Sequence, residues 1–230
     1  MARLAVMPAR GGSKRIPRKN IVPFCGAPLM AHALYAARAS ALFDTIHVST
    51  EDAEIAETAT ALGFPPEFPR DPALADDHST VLAVLAWVHR AYAARGRGFA
   101  SVTLLMPTAP LIEASDLVSA HALFDRHGGA RPLLAVSRLP IPVEWAFHRA
   151  EDGALVPIQP GMDVVRSQDL PEAWYDSGTF LILPEAACAE GAAPPAWLGY
   201  ALPRWKAVDI DTAEDLALAE MLFRGRNAPA

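Results

Sequence analysis

Between Leu4-Ala5-Val6-Met7 and the apolar-periodic segment that starts at Leu29 lies the stretch Ala9-Arg10-Gly11-Gly12-Ser13-Lys14-Arg15-Ile16-Pro17-Arg18-Lys19-Asn20. The apolar run before it reads as a buried strand and the segment after it as a helix. The stretch is therefore a loop at the carboxyl end of a strand, where open α/β sheets place their ligands. Two adjacent glycines allow close backbone approach and φ > 0, so N–H groups can face an anion. Arg10, Lys14, Arg15, Arg18 and Lys19 lie within ten residues, more charge than a turn requires. Together these features predict a polyphosphate cradle. The string is neither the G-x-x-x-x-G-K-[ST] of a P-loop nor the G-x-G-x-x-G of a dinucleotide fold.

The rest of the chain alternates in the manner of a parallel α/β sheet. Strands are expected at 45–50, 101–106, 133–137 and 179–183. Helices are expected from 29 to about 40, over 51–62, 79–94 and 115–125, and after 212. Pro28 suits a first helical turn, and Ser79 or Thr80 can cap the third helix. Val81, Val84, Leu85, Val88 and Tyr92 form a buried helical stripe. His47, within a strand, reads as a core histidine. Residues 65–77 are irregular, and Glu185 to Ala196 reads as an Ala/Pro loop. From Leu139 to about Val165 the rhythm breaks into scattered prolines and aromatics.

At 230 residues, with 52% hydrophobic and 20% charged side chains, the chain suits one globular domain. A net charge of −6 argues against a nucleic-acid partner and makes the basic loop a local positive patch on an acidic protein. No apolar run is long enough for a bilayer, so no membrane partner is expected. Two cysteines far apart, Cys25 and Cys188, predict free thiols in a reducing cytoplasm rather than a disulfide or zinc site.

Two further clusters carry chemistry. Asp209 and Asp211 flank Ile210 in extended chain, which aims both carboxylates one way and Ile210 into the core. Paired carboxylates together with substrate phosphates are a usual way to hold Mg²⁺. Upstream, residues 166–180 crowd a cation, an amide, carboxylates and two aromatics before a strand. That mixture suits a sugar acid.

These strings also carry a resemblance. The loop is similar to the A-R-G-G-S-K-x-[IL]-P-x-K-N signature of the cytidylyltransferases that activate acidic nine-carbon sugars, the CMP-sialic acid synthetase family. Arg70 to Asp77 resembles that family's R-P-x-x-L-[AS]-x-D, with Asp71 replacing the usual Pro. Met106-Pro107-Thr108-Ala109-Pro110 resembles L-x-P-T-[SA]-P. Residues 208–215 resemble its metal-binding segment. Arg166 to Phe180 resembles R-S-Q-D-L-P-E-A-x-x-D-x-G-x-F of the branch that activates pseudaminic acid, with Trp174 where relatives carry Tyr. The sialic acid enzymes usually have Gln at the position of Met106, which also turns the reading toward pseudaminic acid.

The resemblance implies a doubly wound, mostly parallel sheet of the nucleotide-diphospho-sugar transferase type, with residues 139–165 as a dimerisation extension of a homodimer. It implies CTP and a nine-carbon sugar acid as substrates and Mg²⁺ or Mn²⁺ as cofactor, held by Asp209 and Asp211. Arg10, Lys19, Asp209 and Asp211 become the catalytic set. Ala9, Gly11, Gly12, Ser13, Asn20, Arg70 and Ser79 join Arg10 and Lys19 around the nucleotide. Met106, Thr108, Arg166, Gln168, Asp169, Tyr175 and Asp176 become candidates for the sugar, with Trp174 and Tyr175 both open as its aromatic contact. Synthesis of a CMP-sialic or CMP-legionaminic acid, activation of an eight-carbon acid, and a nucleotide-binding regulatory module are the alternatives.

Overall fold

The structure is a computed structural model and describes residues 2–76, 78–190 and 196–226. The first strand, β1 (Arg3–Pro8), is followed by the basic loop, a two-residue hairpin of β2 (Pro23–Phe24) and β3 (Ala27–Pro28), and helix α1 (Leu29–Ala39). Pro28 takes the cap position rather than the first turn of α1. Next come β4 (Thr45–Ser49), α2 (Ala53–Ala61), α3 (Val81–Ala93), β5 (Ser101–Leu105), α4 (Ala114–Arg126) and β6 (Leu133–Arg138). A second hairpin, β7 (Phe147–Arg149) with β8 (Leu155–Pro157), precedes β9 (Trp174–Pro184), α5 (Glu185–Glu190), β10 (Leu198–Ala201) and α6 (Ala213–Arg226).

Six strands form one sheet in the order β10-β6-β9-β5-β1-β4. All neighbours are parallel except β9, which runs antiparallel to both β5 and β6. The chain steps from β1 to β4 on one side and later returns to β5 on the other. The carboxyl end of β1 is thus the switch point of the sheet, where such folds open a crevice. Alternation along β1 divides the core. Ala5 and Met7 pack with α1, α2 and α4, whereas Leu4 and Val6 pack with α3 and α5. His47 lies on β4, 1% exposed, stacked 4.5 Å from Phe68 and bonded through Nδ1 to the Tyr92 hydroxyl at 3.2 Å, a core histidine.

The caps follow the sequence chemistry. Asp52 accepts from the Ile55 N–H at the start of α2, and Thr80, not Ser79, caps α3 through the Ala83 N–H. Thr212 and Asp215 exchange bonds at the start of α6. Four expectations change. Glu185–Glu190 is helical rather than loop, with alanines favouring the turn and Cys188 buried against the α3 layer. Residues 191–195 of that expected loop lie outside the described residues. The strand at 179–183 extends back to Trp174, and β10, too short for a periodicity signal, adds to the sheet beside β6. Val81 is exposed rather than part of the buried stripe.

A third apolar cluster decides where the site lies. Ile16 and Phe24 from the N-terminal loop pack with Leu29, Leu111, Ile210 and Ala219. Phe223 meets Phe24 edge-to-face at 5.5 Å. This contact fastens the last helix and the segment before it onto the basic loop.

Candidate active site

The loop after β1 is braced from outside. Arg18 adopts left-handed φ 56 and grips Asp52 with two hydrogen bonds, at 2.6 and 3.0 Å, and also Glu54. Hydrogen bonding to Arg18 holds the Asp52 carboxyl below its ordinary range. Gly11 packs directly against Asp52, so a Cβ there would collide with that carboxylate. The Gly11 N–H donates to Glu51 Oε1 at 2.9 Å, the Ser13 N–H to the Gly11 carbonyl, and the Ala9 N–H to the Ser49 carbonyl. The Ala9, Gly11 and Ser13 N–H groups are thus committed to holding the loop, and the Gly12 N–H is not among those bonds.

Side chains of this loop line a cavity of about 550 Å³ at the carboxyl ends of β1 and β5. Arg10, Ser13, Lys19, Asn20, Arg70, Ser79, Met106, Thr108, Asp209 and Asp211 all contribute to its wall. Arg10 donates to the Asp76 carbonyl, and the Asn20 amide donates to the Arg10 carbonyl at 2.9 Å. Arg70 is buried, donating to Ser49 Oγ and the Ser49 carbonyl, with Glu51 at 3.7 Å. Burial lowers its pKa, with Glu51 opposing. Thr108 Oγ1 is buried at the wall with no hydrogen-bond partner among the described residues. A ligand group entering here would meet an unsatisfied hydroxyl.

Both ends of the chain meet in this cavity. Lys19 Nζ lies 3.0 Å from Asp211 Oδ1 and 2.8 Å from the Ile210 carbonyl, and Arg15 reaches the same carboxylate at 2.8 Å. Ile210 is fully buried between the two acids, as their alternation requires. Asp209 accepts no hydrogen bond among the described residues. Desolvation, and then the charge of Asp211, raise its pKa. No cluster of three or more His, Cys, Asp or Glu suited to a metal occurs among the described residues. The two carboxylates nevertheless fit a hard divalent cation that takes its other ligands from phosphate and water. A cation there would also relieve the like-charge crowding on Asp209.

The sugar candidates divide. Met106 and Thr108 line the cavity, and Tyr175 lines an adjoining one that also touches Asp209. Arg166, Gln168 and Asp169 line neither. They form an exposed turn in which Arg166 Nε bonds Asp169 at 2.9 Å. Asp176 is spent on the Gly178 N–H. Trp174 lies in an apolar groove with Trp197 instead of beside Tyr175. Residues not singled out from sequence also line the main cavity. Lys14 and Arg15 were visible only as part of the charge count, Asp76 as part of the 70–77 string, and Val81 only as a misassigned core position.

The chain matches the protein-family model described as cytidylyltransferase over residues 4–121. It is 34% identical over 226 residues to the pseudaminic acid cytidylyltransferase of Campylobacter jejuni subsp. jejuni serotype O:23/36, covering 97% of both chains. It is 33% identical over 153 residues to the CMP-N,N'-diacetyllegionaminic acid synthase of Legionella pneumophila, covering 66% of this chain and 65% of that one. Among solved structures, a CMP:2-keto-3-deoxy-manno-octonic acid synthetase complexed with CTP superposes with a TM-score of 0.71 at 15% identity, covering 98% of this chain and all of that one. That last likeness bears on the fold, a mixed α/β unit around a mostly parallel sheet. With a family model matching about half its length and a relative aligned end to end, the chain belongs to the cytidylyltransferase family.

Proposed function

We propose that the chain transfers CMP from CTP to the anomeric hydroxyl of pseudaminic acid. In that step the sugar oxygen bonds to the α-phosphorus, the bond from that phosphorus to the bridging oxygen breaks, the hydroxyl proton is lost, and pyrophosphate leaves. The observation that carries this reading is the 3.0 Å approach of Lys19 to Asp211 across one cavity, which joins cationic loop and acidic segment at a single point. Nucleotidyl transfer depends mostly on positioning and charge neutralisation. Arg10 and Lys19, with Ser13, bind the phosphates, while Ala9, Gly11 and Gly12 shape the loop around them. Arg70, Ser79 and Asn20 complete the nucleotide side. Asp209 and Asp211 would hold Mg²⁺ or Mn²⁺, which offsets phosphate charge as the bond breaks. The choice of pseudaminic acid is supported by end-to-end similarity to enzymes of that name and by an apolar Met106 in the wall.

The same reading makes the protein a cytoplasmic homodimer. Cys25 and Cys188 are free thiols, as a reducing compartment favours, and burial pushes the Cys188 thiol up to about 12. The extension exposes Ile141, Phe147, Leu155, Val156, Ile158 and Val164, apolar surface that a second copy would cover. The direct test is pyrophosphate release from CTP with pseudaminic, legionaminic and sialic acids and the eight-carbon acid in parallel. Turnover should be fastest with pseudaminic acid. Preference for another acid reassigns the substrate, and CTP binding without any turnover removes the catalytic reading.

A further inference from the structure

Of the five cations in the basic loop, Arg10, Lys14, Arg15 and Lys19 line the main cavity and Arg18 does not. The backbone explains the difference. At φ 56 and ψ 32 Arg18 lies in the left-handed region, which a residue with a Cβ keeps only where its surroundings enforce it. The turn sends two neighbouring side chains in different directions. Lys19 enters the cavity toward Asp211, while Arg18 runs to the start of α2. There its guanidinium spans both oxygens of Asp52 and reaches Glu54 as well. A two-point grip of this kind fixes orientation along with distance.

The other limb of the loop ends at the same place. The Gly11 N–H donates to Glu51 at 2.9 Å, and Gly11 packs against the Asp52 carboxylate where a Cβ has no room. Asp52 is itself held, because its Oδ1 also accepts from the Ile55 N–H as the cap of α2. Glu51 faces the buried Arg70 guanidinium of the cavity wall at 3.7 Å. Two consecutive acids therefore fasten both limbs, each limb one residue from a cation that the proposed function places on the phosphates. Gly11 follows Arg10, and Arg18 precedes Lys19.

We propose that Arg18 is a positioning residue for the nucleotide, acting through Asp52 to set the spacing of Arg10 and Lys19. It touches neither substrate. The proposal rests on the reading of the main cavity as the CTP site and extends it to a residue outside that cavity. Errors of about 1 Å in such a pair of charges carry a large cost, because preorganised groups act only where they are aimed.

CTP affinity measured by calorimetry on the full chain tests it, in wild type, Arg18→Ala, Asp52→Asn and the double variant. Asparagine keeps the cap of α2 and discards the charge that holds the guanidinium. Arg18→Ala should weaken CTP binding by about tenfold and Asp52→Asn by about threefold or more, the scale of a lost charge-assisted contact. The double variant should bind no more weakly than Arg18→Ala, since both substitutions open one contact. Arg18→Lys should recover part of the loss. KM for the sugar acid should stay within about twofold throughout, which a general loosening of the fold would not allow. Losses that multiply in the double variant, or a loss in Arg18→Ala with none in Asp52→Asn, would put Arg18 on the nucleotide itself and overturn the assignment, as would unchanged CTP affinity in Arg18→Ala. A wild type that binds CTP and turns over no sugar acid fails the proposed function, and the affinities still decide the role of Arg18. A wild type that binds no CTP overturns both.

Discussion

Lys19 and Asp211 are 192 positions apart in the chain, yet their charged atoms are in contact. Each was legible as a site residue from its own string, because a basic glycine loop and an alternating acid pair both have a local physical meaning. Their convergence on one site is what the family resemblance implies; local spacing alone does not specify it. Arg70, Ser79, Met106 and Thr108 also fall on the cavity wall, Met106 and Thr108 being carried there by the end of β5, Arg70 and Ser79 by the irregular segment before α3. Arg166 illustrates the opposite case. Its string has the composition of a sugar site, but it forms an exposed turn beside Asp169 that lines neither cavity of this chain. Composition says what a segment can bind; tertiary placement says whether it faces the ligand. At this scale the expectation is sharp. Arg10→Ala or Asp211→Asn should lower kcat by roughly 100–1,000-fold, the effect of one preorganised charge. Neither side chain belongs to the apolar core, so the thermal midpoint should move by only a few degrees. Full turnover in both variants would remove this pair from the mechanism.

Helix and strand assignments came through where periodicity was long. The α3 stripe apart from Val81, and the strands β1, β4 and β5, needed nothing beyond apolar patterning. What stayed hidden was short or non-local. A four-residue β10 carries too few positions to alternate visibly, and α5 lies beside an Ala/Pro tract that reads as loop. The antiparallel course of β9 has no sequence signal, since side-chain alternation is the same in both directions. The β7–β8 hairpin is the element whose packing is most incomplete. Adjacent residues of a strand face opposite sides, yet Leu155 and Val156 are both exposed, at 60% and 55%. A two-stranded hairpin bare on both faces is marginal in water, which is the physical case for a second copy covering it. Val156→Asp should therefore convert a dimer into a monomer in size-exclusion chromatography with light scattering. A dimer of unchanged mass would place the interface elsewhere.

The molecule as a whole is held by apolar layers with a few costly polar groups inside. His47 and His121 are both buried, and desolvation lowers each to about 4. Their folded values lie below the ordinary 6.5, so the unfolded chain binds protons first as pH falls. Stability is complete above about 6.5 and is lost progressively toward 4. Each histidine should remove roughly 2 kcal/mol at pH 5 relative to pH 7, read as a lower midpoint in urea unfolding. A flat profile across that range would mean that the rings are not buried neutral. Lys206 is the other polar anchor, bonded to Glu113 at 2.6 Å and Asp116 at 2.7 Å, and Arg226 reaches Glu113 at 3.4 Å. Burial pulls the ammonium down, but the two acids prevail and its pKa is raised. This cluster fastens the turn leading to Asp209 onto the start of α4. Together with the packing of Ile16 and Phe24 against Ile210 and Ala219, it makes the main cavity a seam between the first and last segments of the fold. During synthesis, β1, β4 and β5 can pair before α6 is made, but the cavity between the basic loop and the Asp209–Asp211 segment stays unformed. Under the proposed function, nascent or C-terminally trimmed chains would consequently leave the cell's CTP pool untouched.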